Sequence, residues 1–238
     1  HAEAQKVGIK AITGATLESV SGFHQLTILN KSQTGYQNLS RLLTSLHCQP
    51  AVDVFKHHDL TGTHAILSPE SLLLLTKANL LSAANHLLRH FGPGNVSIAL
   101  FRHFRRGEER INQLLFDLAD FLKIPVIASN SPTYSQPSDR LLSDAFTCLR
   151  EHKTLDDAGR LLERNGERFL KPPQVIHNLF TCYPRAFHNA LTLSQECCEF
   201  SLENLGYRFP SYRDSDTGKL FTDREQCEYL RKVVKNGF

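Results

Sequence analysis

The stretch Ile124-Pro-Val-Ile-Ala-Ser-Asn-Ser-Pro-Thr-Tyr134 lies where an α/β protein does its chemistry. A short apolar run, Ile124 to Ala128, follows an amphipathic helix and ends in a polar turn. That pattern delivers a loop to the end of a buried strand, the usual place for a ligand. Metal-assisted or acid–base chemistry there needs Asp, Glu or His. Ser131, Pro132 and Thr133 are poor metal ligands and poor bases near neutral pH. The loop has the setting of an active-site loop without its reactive groups.

Phosphate binding is the other chemistry the residues could support. Arg102, Arg105, Arg106 and Arg110, with His103, form the densest basic run, at the carboxyl end of an expected strand. Guanidinium forks match phosphate oxygens, so these four arginines are candidate contacts for phosphate or DNA. Glu108 and Glu109 dilute the charge, and a cluster of this size is a modest electrostatic footprint. His86 and His90 have the spacing of a helical zinc pair, but Leu87 stands where the protease motif carries glutamate, and they read as surface or structural histidines. Asp156 and Asp157 follow Thr154 in a first helical turn, where acids meet the helix dipole favourably. Asp214-Ser-Asp216 has no strand beneath it and reads as a solvated loop. No Ser/His/Asp or Cys/His set has a local signature, and Gly92-Pro-Gly94 is not a phosphate loop.

Helix and strand patterns alternate in the first part. The periodicity predicts strands at Ile9–Ile12, Phe23–Leu29, Val96–Phe101 and Ile124–Ala128, and helices over Tyr36–His47 and Glu108–Leu122. Ser68-Pro69-Glu70 reads as the start of a leucine-rich helix that stops at Gly92-Pro93. The strands should form a largely parallel sheet, with the leucines of the Tyr36 and Glu108 helices facing it. After Tyr134 only helices are expected: Asp139–Arg150, Leu155–Glu163, Pro172–Phe180, Pro184–Cys198, and a last one opened by the capping box Thr222-x-x-Glu225.

At 238 residues, 41% hydrophobic and 21% charged, the chain has the composition of an ordinary globular protein. A net charge of +3 permits contact with nucleic acid without arguing for it. No run is long enough to span a bilayer. Six cysteines without a C-x-x-C pair suggest reduced thiols and a cytoplasmic location. Beginning at His1 and lacking methionine, the chain reads as an internal fragment.

Several strings, in order along nearly the whole chain, resemble one family. Gly35-Tyr-Gln-Asn-Leu-Ser-Arg-Leu-Leu-Thr44 is similar to a signature near the start of bacterial C-family DNA polymerases, the DNA polymerase III alpha-subunit type. Phe91-Gly-Pro-Gly-Asn95 and Arg102-His-Phe-Arg-Arg-Gly-Glu-Glu-Arg110 look like its error-prone branch. So do Phe146-Thr-Cys-Leu-Arg150, Asp157-Ala-Gly-Arg160, Glu167-Arg-Phe-Leu-Lys171 and Leu205-Gly-Tyr-Arg-Phe-Pro210.

The resemblance implies an N-terminal PHP domain over residues 1–200, a distorted, TIM-like α/β barrel lacking its first strand here. Residues 201–238 would be a linker and the start of the polymerase palm. It implies a parent that synthesises DNA in replication, repair or translesion synthesis, with magnesium and the catalytic aspartates in a palm beyond Phe238. The implied partners are that palm, DNA, and a sliding clamp or accessory polymerase subunits, with no membrane. Relatives with a PHP metal site carry a His-x-His strand absent here, and Gly-Ala-Glu where this chain has Gly14-Ala15-Thr16. They carry Glu-Leu-Gln where Ala99-Leu100-Phe101 stands, and Asn-Asp-x-His-Tyr where Asn130-Ser-Pro-Thr-Tyr134 stands. Thr16, Ala99, Ser131 and Thr133 therefore mark a degenerate site with no metal or other cofactor and no catalytic residue of its own. Glu18, which shares a strand face with Thr16, is expected to substitute in part, whereas His24 looks one position out of register. The segment is expected to be structural and inactive alone; the alternative is an active metal-dependent phosphoesterase or proofreading exonuclease.

Overall fold

The computed structural model describes residues 2–48, 54–72, 77–205, 212–213 and 217–237. By their contacts the residues divide into two units, His1–Ser201 and Leu202–Phe238.

The first unit contains α1 (Ala2–Lys6), β1 (Gly14–Val20), β2 (Phe23–Asn30), α2 (Gln33–Cys48), β3 (Thr63–Leu67), α3 (Lys77–Phe91) and β4 (Val96–Leu100). It continues with α4 (Glu108–Leu122), β5 (Val126–Ala128), α5 (Arg140–Glu151), α6 (Leu155–Ala158), α7 (Pro173–Leu179) and α8 (Pro184–Cys197). The strands make one sheet in the order β1-β2-β3-β4-β5. The fold is α/β as expected, but the sheet is open and mixed. β1, β2 and β3 pair antiparallel, and only β3, β4 and β5 pair in parallel. The reason is local: Ser21 and Gly22 both have positive φ, 49° and 86°, the two-residue turn that folds β1 back on β2.

The Ile9–Ile12 run is not a strand. Gly8, with a φ of 72°, ends the first helix, and Ile9 stays 63% exposed. The sheet edge that this run would have filled is taken by Gly14–Val20, where Leu17 and Val20 are buried. β3, which has Thr63-His64-Ala-Ile-Leu67 as its sequence, was hidden from periodicity by the polar start of an otherwise buried run. Ser68 and Ser71 cap one another through reciprocal backbone bonds and open a short 3-10 turn, Glu70–Leu72; a regular helix runs over Lys77–Phe91, and the expected stretch between, 73–76, lies outside the described residues.

The larger core lies between one sheet face and α2, α3 and α4, with Leu26, Ile28, Leu67, Ile98 and Leu100 meeting Leu42, Leu87 and Leu115. Leu39 and Leu42 of α2 and Leu115 of α4 are buried as expected, while Ile111 faces outward at 43% exposure. On the opposite face Ala99, Phe101 and Ile127 share a smaller core with Leu193 and Cys197 of α8. Four helices beyond Tyr134 (α5 to α8) lie close to their expected places; the helix from Leu155 is one turn followed by a 3-10 turn.

In the second unit α9 (Asp223–Gly237) is opened by Thr222, whose hydroxyl and amide meet the Glu225 carboxylate. That contact, with Lys219, holds the Glu225 carboxyl well down, to about 2. Tyr212, Phe221 and Tyr229 form a ring cluster there. The Asp214–Asp216 loop and most of the Leu205–Pro210 string lie outside the described residues.

His64 gives the fold a pH dependence. Its Nε2 lies 2.8 Å from Ser97 Oγ, and the ring is 3% exposed. Burial, helped by Lys31 and opposed by Glu196, pushes its pKa down to about 4. Between that value and the unfolded value near 6.5, the unfolded chain binds the extra proton, so stability falls as pH falls. Lowering the pH from 8 to 5 should cost about 2 kcal/mol from this residue. His103, whose pKa burial also lowers, adds in the same direction. Urea melts across that range should show a shallower loss for His64→Gln; an unchanged slope would contradict the assignment.

Candidate functional site

The parallel strands β3, β4 and β5 end on the same side, and each releases a segment there: Ser68–Leu72, Phe101–Gly107 and Ser129–Tyr134. A fourth segment, Gly159–Lys171, joins them, with Tyr134 and Phe169 bridged in parallel. Positive φ at Phe104, Gly107 and Ser131 turns two of these segments sharply. The carboxyl ends of parallel strands are where open α/β sheets bind ligands.

Asn130 is the hub of the loop after β5. Its amide donates to the carbonyls of Glu167 at 3.3 Å and Phe169 at 2.6 Å, and its Oδ1 accepts from Lys171 Nζ at 3.1 Å. Lys171, with its side chain 2% exposed, also pairs with Glu167 and lies over the Phe169 ring. His103 is fully buried, and its Nε2 lies 2.8 Å from the Asn130 carbonyl. A carbonyl only accepts, so Nε2 carries the hydrogen. Burial lowers the His103 pKa, against the pull of Asn130 and Glu108, which favours the neutral ring.

Arg168 holds the next residue of the loop. Its Nε donates to Ser131 O and its Nη2 to Ser131 Oγ, both at 3.0 Å. Its Nη1 reaches Glu70 at 2.9 Å and Glu163 at 3.1 Å, and Glu163 pairs with Arg105 at 2.6 Å. The amide of Thr133 donates to the Arg168 carbonyl. Two side-chain cations, a guanidinium and an ammonium, therefore secure the loop in which acid and imidazole were sought.

The expected site positions do not gather in one place. Ser131 and Thr133 lie in this loop, Ala99 is buried in the core against α8, and Thr16 is exposed on β1, at the far edge of the sheet. Thr16 Oγ1 lies 3.2 Å from Thr27 Oγ1 in a cross-strand pair. Glu18 pairs across the hairpin with Gln25, and His24, three residues from Thr27, alternates onto the other face. Hydroxyls and a methyl group at these positions do not fit a metal cluster, which needs several converging carboxylates and imidazoles. Among the described residues no group of three His, Cys, Asp or Glu is placed to hold a metal ion.

The four arginines of the basic run also part company. Arg102 donates to Leu179 O, pairs with Glu109 at 2.9 Å and lies over the Tyr183 ring. Burial, then the Glu109 contact, pushes the Tyr183 phenol up to about 12. Arg102 is thus a fastener, and Arg105 is committed to Glu163; Arg106 and Arg110 are exposed. His86 and His90 meet edge to face, with ring centroids 4.6 Å apart, beside Phe55. Asp157 caps its own helix with Thr154.

Sequence reasoning missed Glu70, Glu163, Arg168 and Lys171 as members of this assembly. Their signal was faint: Arg168 and Lys171 lie inside a string whose only mark is its resemblance, and no spacing rule joins residues 37, 41 or 58 positions apart.

No family model matches the chain. Over 209 residues it is 32% identical to the DNA polymerase III subunit alpha of Xylella fastidiosa, covering 82% of this chain and 18% of that protein. It is 30% identical to the error-prone DNA polymerase of Bradyrhizobium diazoefficiens, covering 84% of this chain and 18% of that protein. The chain is related to bacterial error-prone DNA polymerases and DNA polymerase III alpha subunits. A further error-prone DNA polymerase, from Symbiobacterium thermophilum, is 28% identical over 222 residues, covering 82% of this chain and 20% of its own. The chain spans about a fifth of the length of these polymerases, and the likeness runs through both the sheet and the carboxyl-end assembly rather than through one motif. Among the described residues no helix is long and apolar enough to cross a membrane.

Proposed function

We propose that this chain is the PHP-type segment of an error-prone DNA polymerase, a structural block whose metal site has been lost. The observation that carries the reading is the likeness over four-fifths of the chain to proteins named as error-prone DNA polymerases and DNA polymerase III alpha subunits. The open sheet corresponds in this reading to part of the distorted PHP barrel. DNA synthesis, its magnesium, and partners such as a sliding clamp belong to the parent protein, a cytoplasmic enzyme.

The carboxyl-end assembly supports the structural role. Arg168 and Lys171 supply the positive charge that a metal ion would otherwise supply, and they hold the loop closed without one. α5 supports it from another side. Leu142, Phe146 and Leu149, spaced to share a helix face, are 58%, 63% and 69% exposed, with Leu141 beside them at 74%. A row of large apolar side chains in water marks a face for packing, and the rest of the parent polymerase is its partner in this reading.

The test is primer extension by the protein made from the complete reading frame. Magnesium-dependent extension is expected, and it should fall at least tenfold for Phe146→Glu with Leu149→Glu, substitutions already in water within this unit. A full-length protein that does not extend a primer would overturn the polymerase reading; one indifferent to the α5 changes would overturn the packing role.

A further inference from the structure

Beside the carboxyl-end assembly lies a cavity of about 390 Å³ lined by Arg105, Arg106, Arg160, Arg164 and Arg168. Its size falls within the range of small-ligand sites, roughly 300–1,000 Å³. Three carboxylates, Glu70, Glu108 and Glu163, line it too, and each is already engaged. Glu163 pairs with Arg105 and Arg168, and Glu70 with Arg168. Glu108 accepts from the main-chain amides of His103 and Arg105. Arg106, Arg160 and Arg164 are exposed and have no carboxylate partner among the described residues.

We propose that this groove binds the phosphate groups of a nucleic-acid strand or a nucleotide through Arg106, Arg160 and Arg164. The paired Arg105 and Arg168 form its rigid wall, so the three free guanidiniums project from a fixed frame rather than from a mobile loop. Guanidinium forks recognise phosphate oxygens in a bidentate way that lysines do not. The apolar remainder of the lining is Pro69, Phe101, Ile111, Leu161 and Leu162, and its one aromatic ring, Phe101, is buried at 4% exposure and so is not free to stack a base. Recognition therefore rests on phosphate and is indifferent to base. The site includes only one exposed member of the basic run seen in the sequence; the other two come from the turn after α6. It goes beyond the polymerase reading and does not need it, because binding is measured on this chain alone.

The experiment is fluorescence anisotropy with a labelled single-stranded thymidine 12-mer at low salt. The variants are Arg106→Ala/Arg160→Ala/Arg164→Ala and, as a control with the same net charge, Arg185→Ala/Arg231→Ala/Lys232→Ala. All six positions are exposed, so neither variant should disturb the fold. The groove variant should bind at least tenfold more weakly, and its salt dependence should flatten by about 2 in log–log slope, as expected for three lost contacts to a single strand. The control should stay within twofold. ATP and inorganic pyrophosphate are the second arm. If they displace the strand at micromolar concentration from the parent chain but not from the groove variant, the ligand is a nucleotide phosphate; if they do not displace it, the strand is the ligand. Equal losses in the two variants, or no binding of any probe by the parent chain, would overturn the proposal.

Discussion

Replacing Arg168 with alanine should destabilise the first unit by about 3 kcal/mol, toward the lower end of the range for breaking a buried charge network. The side chain is 14% exposed and reaches Ser131 twice, Glu70 at 2.9 Å and Glu163 at 3.1 Å. Glu163 keeps Arg105, but Glu70 loses the one cation it meets among the described residues, and Ser131 loses both donors. Ser131 has a φ of 39°, a left-handed conformation unfavourable for a side chain without Gly's freedom. Without Arg168 the loop has less reason to hold it. Arg168→Lys should recover only part of the loss, since an ammonium cannot span Ser131 and both carboxylates as a planar fork does. Urea melts read the loss, and amide exchange over residues 129–134 reads the loop. Arg168→Ala within 0.5 kcal/mol of the parent chain would show that the network is decorative.

Gly35→Ala should cost about 2–3 kcal/mol, a fall in Tm of roughly 5–10 °C for a domain of this size. Gly35 lies in the first turn of α2, where alanine would ordinarily favour the helix. Here a Cβ would come within 1.9 Å of the Gly62 carbonyl oxygen and 2.4 Å of its carbon. Gly62 has a φ of 79° and cannot retreat without disturbing the turn that leads into β3. Ser32 Oγ and Asn38, which reaches the Thr61 carbonyl at 3.1 Å, pin the same approach. Gly94→Ala, where a Cβ meets nothing within 4 Å, is the matched control and should change little. Thermal melts that fail to separate the two variants would contradict the close approach.

Gly35 also shows what could be read before the structure. The string Gly35–Thr44 was legible as a resemblance, and the leucines after it as a buried helix face, because both signals are local. What makes the glycine necessary is not local: the contact crosses 27 positions to Gly62, and no periodicity encodes it. The same division holds elsewhere. Glu108–Leu122 has its expected ends because the left-handed Gly107 and Lys123 bracket an uninterrupted apolar stripe. The Ile9 run misled because four residues with apolar ends satisfy a strand pattern without any partner to pair with. In the candidate site, the absence of acid and imidazole at Ser131 and Thr133 was plain from residue types. That Arg168 and Lys171 would fill the gap was not, since pairing at separations of 37 and 41 residues is a product of the fold. Likewise the four arginines of one string read as one patch, yet a turn at Phe104 commits Arg102 and Arg105 to separate partners and leaves Arg106 and Arg110 exposed.

A segment that serves only as a structural block cannot hydrolyse a phosphodiester. A metal-bound hydroxide is the nucleophile such a site would require, and the positions that would hold the metal carry a methyl group and hydroxyls. The direct measurement is cleavage of a single-stranded oligonucleotide by purified residues 1–238 with added manganese, followed over time. No turnover above the buffer rate is expected, with or without chelator. Cleavage that persists through repurification and stops on adding chelator would contradict the account and make the segment an active phosphoesterase.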